Sequence, residues 1–236
     1  MGNCVISIKD LHVHFPTRKG LFKVLNGLDL NISHRGRLGL VGESGVGKSV
    51  AAWASLNLIK PPGEIINGQV IYKQKDLLKM EEADLQKIRG KEIALIVPRA
   101  HSQLNPLLTI GNQLINMYLT HKGGNRKSDR EEAREKALEM LAAVGLPDYE
   151  KRMNAYPNEL SGGMAQRIVI AMALIHQPEV IIADDPTAGL DVTIQAQIMD
   201  LLNNLVTNLG TSALIITHHL GLVAQHCDEV AIMYAG

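Results

Sequence analysis

"RLGLVGESGVGKSVAAWASLNLI" (37–59) changes character twice within a few residues. The apolar run "RLGLV" reads as a strand, "GESGVGKS" (42–49) as a glycine-containing loop, and "VAAWASLNLI" as a helix. Strand, G-x-x-x-x-G-K-S loop and helix in that order form a phosphate cradle. Glycine lets the backbone curl until successive N–H groups converge on one point, and the helix N-terminus adds partial positive charge there. Gly42, Glu43, Ser44, Gly45, Val46 and Gly47 are the expected cradle. Lys48 is expected to bridge β- and γ-phosphates, and the Ser49 hydroxyl to bind Mg²⁺.

Outward from this unit, short apolar runs alternate with helical patterns, which predicts an α/β domain around a largely parallel sheet. The expected strands are 5–9, 37–41, 92–97, 179–184, 212–217 and 229–234, with 5–9 and 28–32 forming a separate antiparallel layer. Between about 99 and 160 the pattern becomes helices and loops. There "HKGGNRKSDREEAREKALEMLAAVGLPD" (121–148) starts as a polar, glycine-containing loop and continues as an amphipathic helix with Leu138, Leu141 and Val144 on one face, stopped by Gly145 and Pro147. The charge run Lys127–Glu135 reads as its solvated face. A further helix is expected over 194–210, with Ile194, Ile198, Leu201 and Leu205 in register and Gly210 as its stop.

A second cue is the strand end "IIADDPTAGLD" (181–191), which delivers two adjacent carboxylates. Asp184 stands at a strand C-terminal end, where open α/β sheets bind ligands, and is the expected second holder of the magnesium shell. With the phosphate cradle it implies a bound nucleotide.

Composition narrows the class. The 236 residues carry 24 basic and 24 acidic side chains, a balance that argues against nucleic-acid binding by bulk charge. Cys4 and Cys227 lack metal-ligand spacing and are expected to be small buried hydrophobes in a reduced, cytosolic chain. The N-terminus reads as lacking a signal peptide, and its "MGNCVIS" fits the acylation pattern only with Ser7 one place late. No stretch reaches the length of a membrane span. His12, His14, His101 and His121 show no ligand spacing and are read as surface residues.

The third cue is "LSGGMAQR" (160–167), which opens the apolar helix "MAQRIVIAMALI". Ser161, Gly162 and Gly163 make a second anion site at a helix N-terminus. A simple P-loop kinase or small GTPase needs one such element, and this chain has two. The economical arrangement is a head-to-tail dimer, each second element closing on ATP held by the other chain's cradle.

These motifs resemble the ATP-binding cassette (ABC) family, whose signature is LSGGQ. The order also matches: P-loop 42–49, signature 160–164, Walker B strand 180–184, D-loop "AGLD" 188–191 and switch histidine His218. "LNP" (104–106), "LDVTIQAQIMDLL" (190–202), "MYAG" (233–236) and Met164 in place of Gln are similar to the oligopeptide, dipeptide and nickel importer ATPases. The resemblance implies a RecA-like P-loop NTPase core (1–98 and 165–236) with an antiparallel β layer, and a helical insertion (99–164) carrying the signature. It also implies a peripheral ATPase subunit on the cytoplasmic face of the membrane, with a second ATPase subunit, two transmembrane permease subunits and an extracellular or periplasmic solute-binding protein. Phe15 falls where the family stacks an aromatic on adenine, with Phe22 as the alternative. His218 is expected to contact the γ-phosphate. Such subunits normally continue beyond "MYAG" with an extension that often carries iron–sulfur cysteines.

Three positions depart from the family. The catalytic residue after the Walker B Asp is normally Glu and here is Asp185; the Q-loop glutamine is replaced by Pro98; His219 stands where Asp is usual. Together they predict a weakened catalytic site beside an intact binding site, and pairing with a different, fully equipped ATPase. A homodimeric transport ATPase and a non-transport ATP-gated clamp are the competing readings.

Overall fold

The computed structural model describes residues 4–18, 20–123 and 126–236. The start of the "MGNCVIS" pattern, Met1 to Asn3, lies outside them. Five parallel strands form the central sheet in the order β6-β7-β8-β3-β9: β3 (Arg37–Val41), β6 (Ile93–Ile96), β7 (Val180–Asp184), β8 (Ser212–Thr217) and β9 (Glu229–Ile232). β7 and β8 are buried along their whole length. That is why they read as unbroken apolar runs: a parallel sheet is covered on both faces.

The coverage divides by residue parity. Ile181, Ala183, Ala213 and Ile215 enter one apolar cluster; Val180, Ile182, Leu214 and Ile216 enter another on the opposite face. The first cluster joins the sheet to helices α3 (Ile110–Lys122), α4 (Lys127–Ala143), α6 (Gly162–Leu174) and α7 (Val192–Leu209). The second joins it to α1 (Lys48–Ser55) and to an antiparallel sheet of order β2-β1-β4-β5. Its strands are β1 (Cys4–Thr17), β2 (Gly20–Ser33), β4 (Glu64–Tyr72) and β5 (Lys75–Asp76). The remaining helices are α2 (Glu82–Ile88), α5 (Tyr149–Arg152) and α8 (Leu220–His226). No described helix is long and apolar enough to cross a membrane.

Polar groups tie the antiparallel layer to the central sheet at the end away from the phosphate loop. Tyr72 Oη lies 2.9 Å from Glu92 Oε2 and 2.9 Å from Glu179 Oε2, while Lys73 Nζ reaches the same two carboxylates at 2.7 and 2.9 Å. Burial pushes the Tyr72 phenol well above its ordinary range.

The structure corrects several expectations. The antiparallel layer is larger than 5–9 and 28–32, because β1 and β2 form a long hairpin and β4 and β5 extend the sheet. α1 starts at Lys48 and ends at Ser55, where Asn57 turns into the left-handed region (φ 52°). α7 does stop at Gly210, but its buried face is Ile198, Met199, Leu202 and Val206. Leu201 and Leu205 lie at the edge of that face. Cys4 is exposed on β1, and Cys227 is half-buried, which pushes its thiol up to about 11. His12, His14 and His121 are partly buried; His121 meets the His176 ring edge-on at 5.0 Å between centroids, and burial lowers its pKa.

α8 sits directly on β3 at Gly39. A Cβ there would lie 2.1 Å from Val223 Cγ1 and 3.2 Å from Cys227 Sγ. Gly39→Ala is therefore expected to lower the unfolding free energy by about 1–3 kcal/mol, read as a lower urea midpoint at unchanged slope.

Candidate functional site

β3, β7 and β8 are neighbours and parallel, so the segments leaving their C-terminal ends converge. The phosphate loop follows β3, Asp184 ends β7 and is followed by Asp185, and His218 follows β8. With Phe15 from β1, Phe22 and Val24 from β2, and Pro98 after β6, they line a cleft of about 510 Å³. That volume is within the range of roughly 300–1,000 Å³ usual for small-molecule sites.

Of the expected cradle residues, Ser44, Gly45, Gly47, Lys48 and Ser49 line the cleft. Gly42, Glu43 and Val46 are not among its lining residues; Val46 packs against the apolar cluster beneath. Gly47 has φ 110°, and a Cβ there would lie 2.9 Å from Val24 O, so the turn into α1 needs glycine twice over. Lys48 is buried, with Nζ donating to Gly42 O and Glu43 O at 2.7 Å each. Burial lowers its pKa, and the nearby Asp185 and Asp184 partly oppose that.

Ser49 Oγ donates to Asp184 Oδ1 at 3.0 Å. Asp184 is 1% exposed, and burial raises its pKa despite that hydrogen bond. Its Oδ2 is buried without a partner, as is Oδ1 of Asp185. Two orphaned carboxylate oxygens beside a serine hydroxyl, in a cleft with a phosphate loop, form a hard oxygen donor set suited to Mg²⁺.

Asp185 has the left-handed φ of 43°, which Asp tolerates better than most residues, and its N–H donates to Ile216 O at 2.8 Å. This turn aims the carboxylate toward β8, where Oδ2 lies 3.4 Å from His218 Nδ1. The His218 ring is half exposed and tilts against His219, with centroids 4.2 Å apart. Pro98 lines the same cleft and offers no side-chain hydrogen-bonding group.

Ser161, Gly162 and Gly163 stand at the N-terminus of α6, outside this cleft. Ser161 Oγ accepts from the Met164 N–H at 3.4 Å. The glycine backbone is pressed from below: added Cβ atoms would meet Leu190 Cδ2 at 3.1 Å and Ile194 Cγ2 at 3.0 Å. One chain therefore does not bring its two anion elements together.

A family model for ABC transporters matches residues 25–188, from the hairpin through the phosphate loop and signature to the D-loop.

The chain belongs to the ABC transporter family.

This ABC cassette is 44% identical over 234 residues to the oligopeptide transport ATP-binding protein OppD of Haemophilus influenzae, covering 99% of this chain and 71% of that one. It is 43% identical to the OppD and to the dipeptide transport ATP-binding protein DppD of Bacillus subtilis, covering 98% of this chain in both cases. The cassette spans 64% and 68% of the length of those two relatives. Among solved structures, a dimeric ATP-binding cassette in a post-hydrolysis state bound to ADP and Pi superposes with a TM-score of 0.84 at 28% identity, over 98% of this chain and 95% of that one. The cassette is an ABC-type ATPase with the P-loop NTPase fold.

Val24, Val50, Ile216 and Thr217 also line the cleft and were not expected from sequence. Thr217 and Ile216 could have been found as neighbours of His218 on a strand end. Val24 carries no such signal, because only the β1–β2 pairing brings it to the phosphate loop.

Proposed function

We propose that this cassette is the ATP-binding subunit of a peptide importer, with its own hydrolytic site weakened and a non-identical, fully equipped ATPase as its dimer partner. The partner set follows from that reading: two membrane permease subunits, an external solute-binding protein, and attachment at the cytoplasmic face of the membrane. The peptide assignment rests on the relatives named for oligopeptide and dipeptide transport.

In this reading the loop N–H groups and Lys48 hold the β- and γ-phosphates, Lys48 giving up its two loop carbonyls to do so. Ser49 and Asp184 hold Mg²⁺, which when bound neutralises charge on the phosphate oxygens. Asp185 and His218 face the γ-phosphate side, and Asp185 is the acceptor that orients the attacking water. Ser161 and the N–H groups at Gly162 and Gly163 close on the partner's nucleotide.

The observation that carries the weakened-site reading is the Asp185 carboxylate. One oxygen is turned to His218, the other is buried without a partner, and the residue lining the cleft after β6 is Pro98. An aspartate falls short of a glutamate by about 1.5 Å. A misplacement near 1 Å costs on the order of a hundredfold in rate. Turnover by the purified cassette alone is therefore expected to be about a hundredfold below that of the assembled complex. Equal rates, per cassette, would favour a homodimer in which Asp185 suffices.

A further inference from the structure

The segment after β6 enters the cleft at Pro98, and the next residue is strained. Arg99 has φ 64° and ψ 75°, in the left-handed region. Glycine enters that region freely and aspartate or asparagine at modest cost, but a long side chain gains nothing there. The turn is nonetheless held from both sides. Arg99 O accepts from the Ser102 N–H at 3.0 Å and from Ser102 Oγ at 2.7 Å, and Gln103 Nε2 donates to Val97 O. Backbone strain that the surroundings hold in place beside a ligand cleft points to a function for the residue that bears it.

The register of the sheet says which side of the cleft Arg99 serves. Ile96 pairs with Ala183 in the parallel β6–β7 ladder, so two residues further on Pro98 stands level with Asp185. Arg99 therefore leaves the sheet on the side where Asp185 and His218 stand. Arg37, Arg89 and Arg167 are each tied to acceptors within the chain, at Asp228, at Glu82 and at Val144 O. Arg99 is exposed, and its guanidinium has no acceptor among the described residues.

Charge supplies the reason for a cation there. Among the described residues lining the cleft, Lys48 is the one lysine or arginine, and it stands against Asp184 and Asp185. A nucleoside triphosphate, even with its Mg²⁺, adds further negative charge to that site. On the reading that this cleft binds such a nucleotide, we infer that Arg99 is a further phosphate-binding residue, which folds over the cleft mouth and grips the γ-phosphate. The planar guanidinium offers two parallel donors to phosphate oxygens. A contact made to the γ-phosphate in the ground state favours ATP over ADP without accelerating hydrolysis, as a holding site requires.

The test is equilibrium binding of ADP and of the non-hydrolysable β,γ-imido analogue of ATP to the purified cassette in Mg²⁺, for the native protein, Arg99→Gly and Arg99→Lys. Arg99→Gly removes the side chain and suits the left-handed turn, so the loop keeps its path, with thermal unfolding as the check. In Arg99→Gly the analogue is expected to bind about tenfold more weakly, the scale of losing a charge-assisted contact at a solvent-facing cleft mouth, while ADP moves by less than about twofold. Arg99→Lys keeps the charge without the fork and should fall between the native protein and Arg99→Gly. An analogue affinity within about twofold of native in Arg99→Gly overturns the inference, as does an equal loss for both nucleotides. Failure of ADP and the analogue alike to bind the native cassette overturns the nucleotide reading itself, and the role of Arg99 with it.

Discussion

Replacing Asp185 by glutamate and Pro98 by glutamine together is expected to raise ATP turnover of this cassette by about a hundredfold, and either change alone by less than about fivefold. The reasoning starts from geometry. Asp185 occupies a left-handed backbone position, and its carboxylate is held toward His218 at 3.4 Å. A glutamate keeps that backbone turn at a cost of about 1–2 kcal/mol and carries the carboxylate farther into the cleft. The attacking water must still be gripped from the side where Pro98 stands, and proline supplies no acceptor or donor for it. Groups that orient one water act as a unit, so restoring half of the grip recovers little. Steady-state phosphate release at saturating Mg-ATP reads the effect, with thermal unfolding of each variant as the folding control. A fifty-fold gain from Asp185→Glu alone would locate the whole defect in one methylene and remove Pro98 from the explanation.

The second large effect is expected at Lys48. Its ammonium is buried and donates to Gly42 O and Glu43 O within the loop. Lys48→Ala removes the charge that would meet two phosphates and leaves both carbonyls without that donor. Charge-assisted hydrogen bonds contribute about 1.5–3 kcal/mol each, so ATP affinity should fall by at least about a hundredfold in calorimetric titration. Lys48→Arg should not restore it, since a planar guanidinium cannot take the place of a compact ammonium inside a closed loop. A loss below threefold for Lys48→Ala would mean that the loop does not hold the phosphates.

Much of this was legible in the sequence because the informative features are local. β7 and β8 are buried on both faces and therefore read as apolar runs, and the phosphate loop needs only neighbours in sequence to be recognised. Ser49 and Asp184, 135 residues apart in sequence, can be paired from magnesium chemistry alone, and a hydrogen bond joins them. β4 was missed because "NGQ" (67–69) interrupts its apolar pattern and most of its residues are not deeply buried, while its pairing with β1 is a long-range fact. The buried face of α7 was displaced by one position because Ile194, Leu201 and Leu205 are as apolar as the residues that face the core. The aim of the Asp185 carboxylate was invisible for a different reason. It depends on one left-handed φ, which the residue type permits but does not announce.

The central claim, a holding site beside a working one, is tested most directly by counting nucleotides in the assembled transporter after turnover in Mg-ATP, with ATP separated from ADP. About one unhydrolysed ATP retained per complex, and lost when this cassette carries Lys48→Ala, is the predicted result. ADP in both sites, or retained ATP that survives Lys48→Ala, would contradict it.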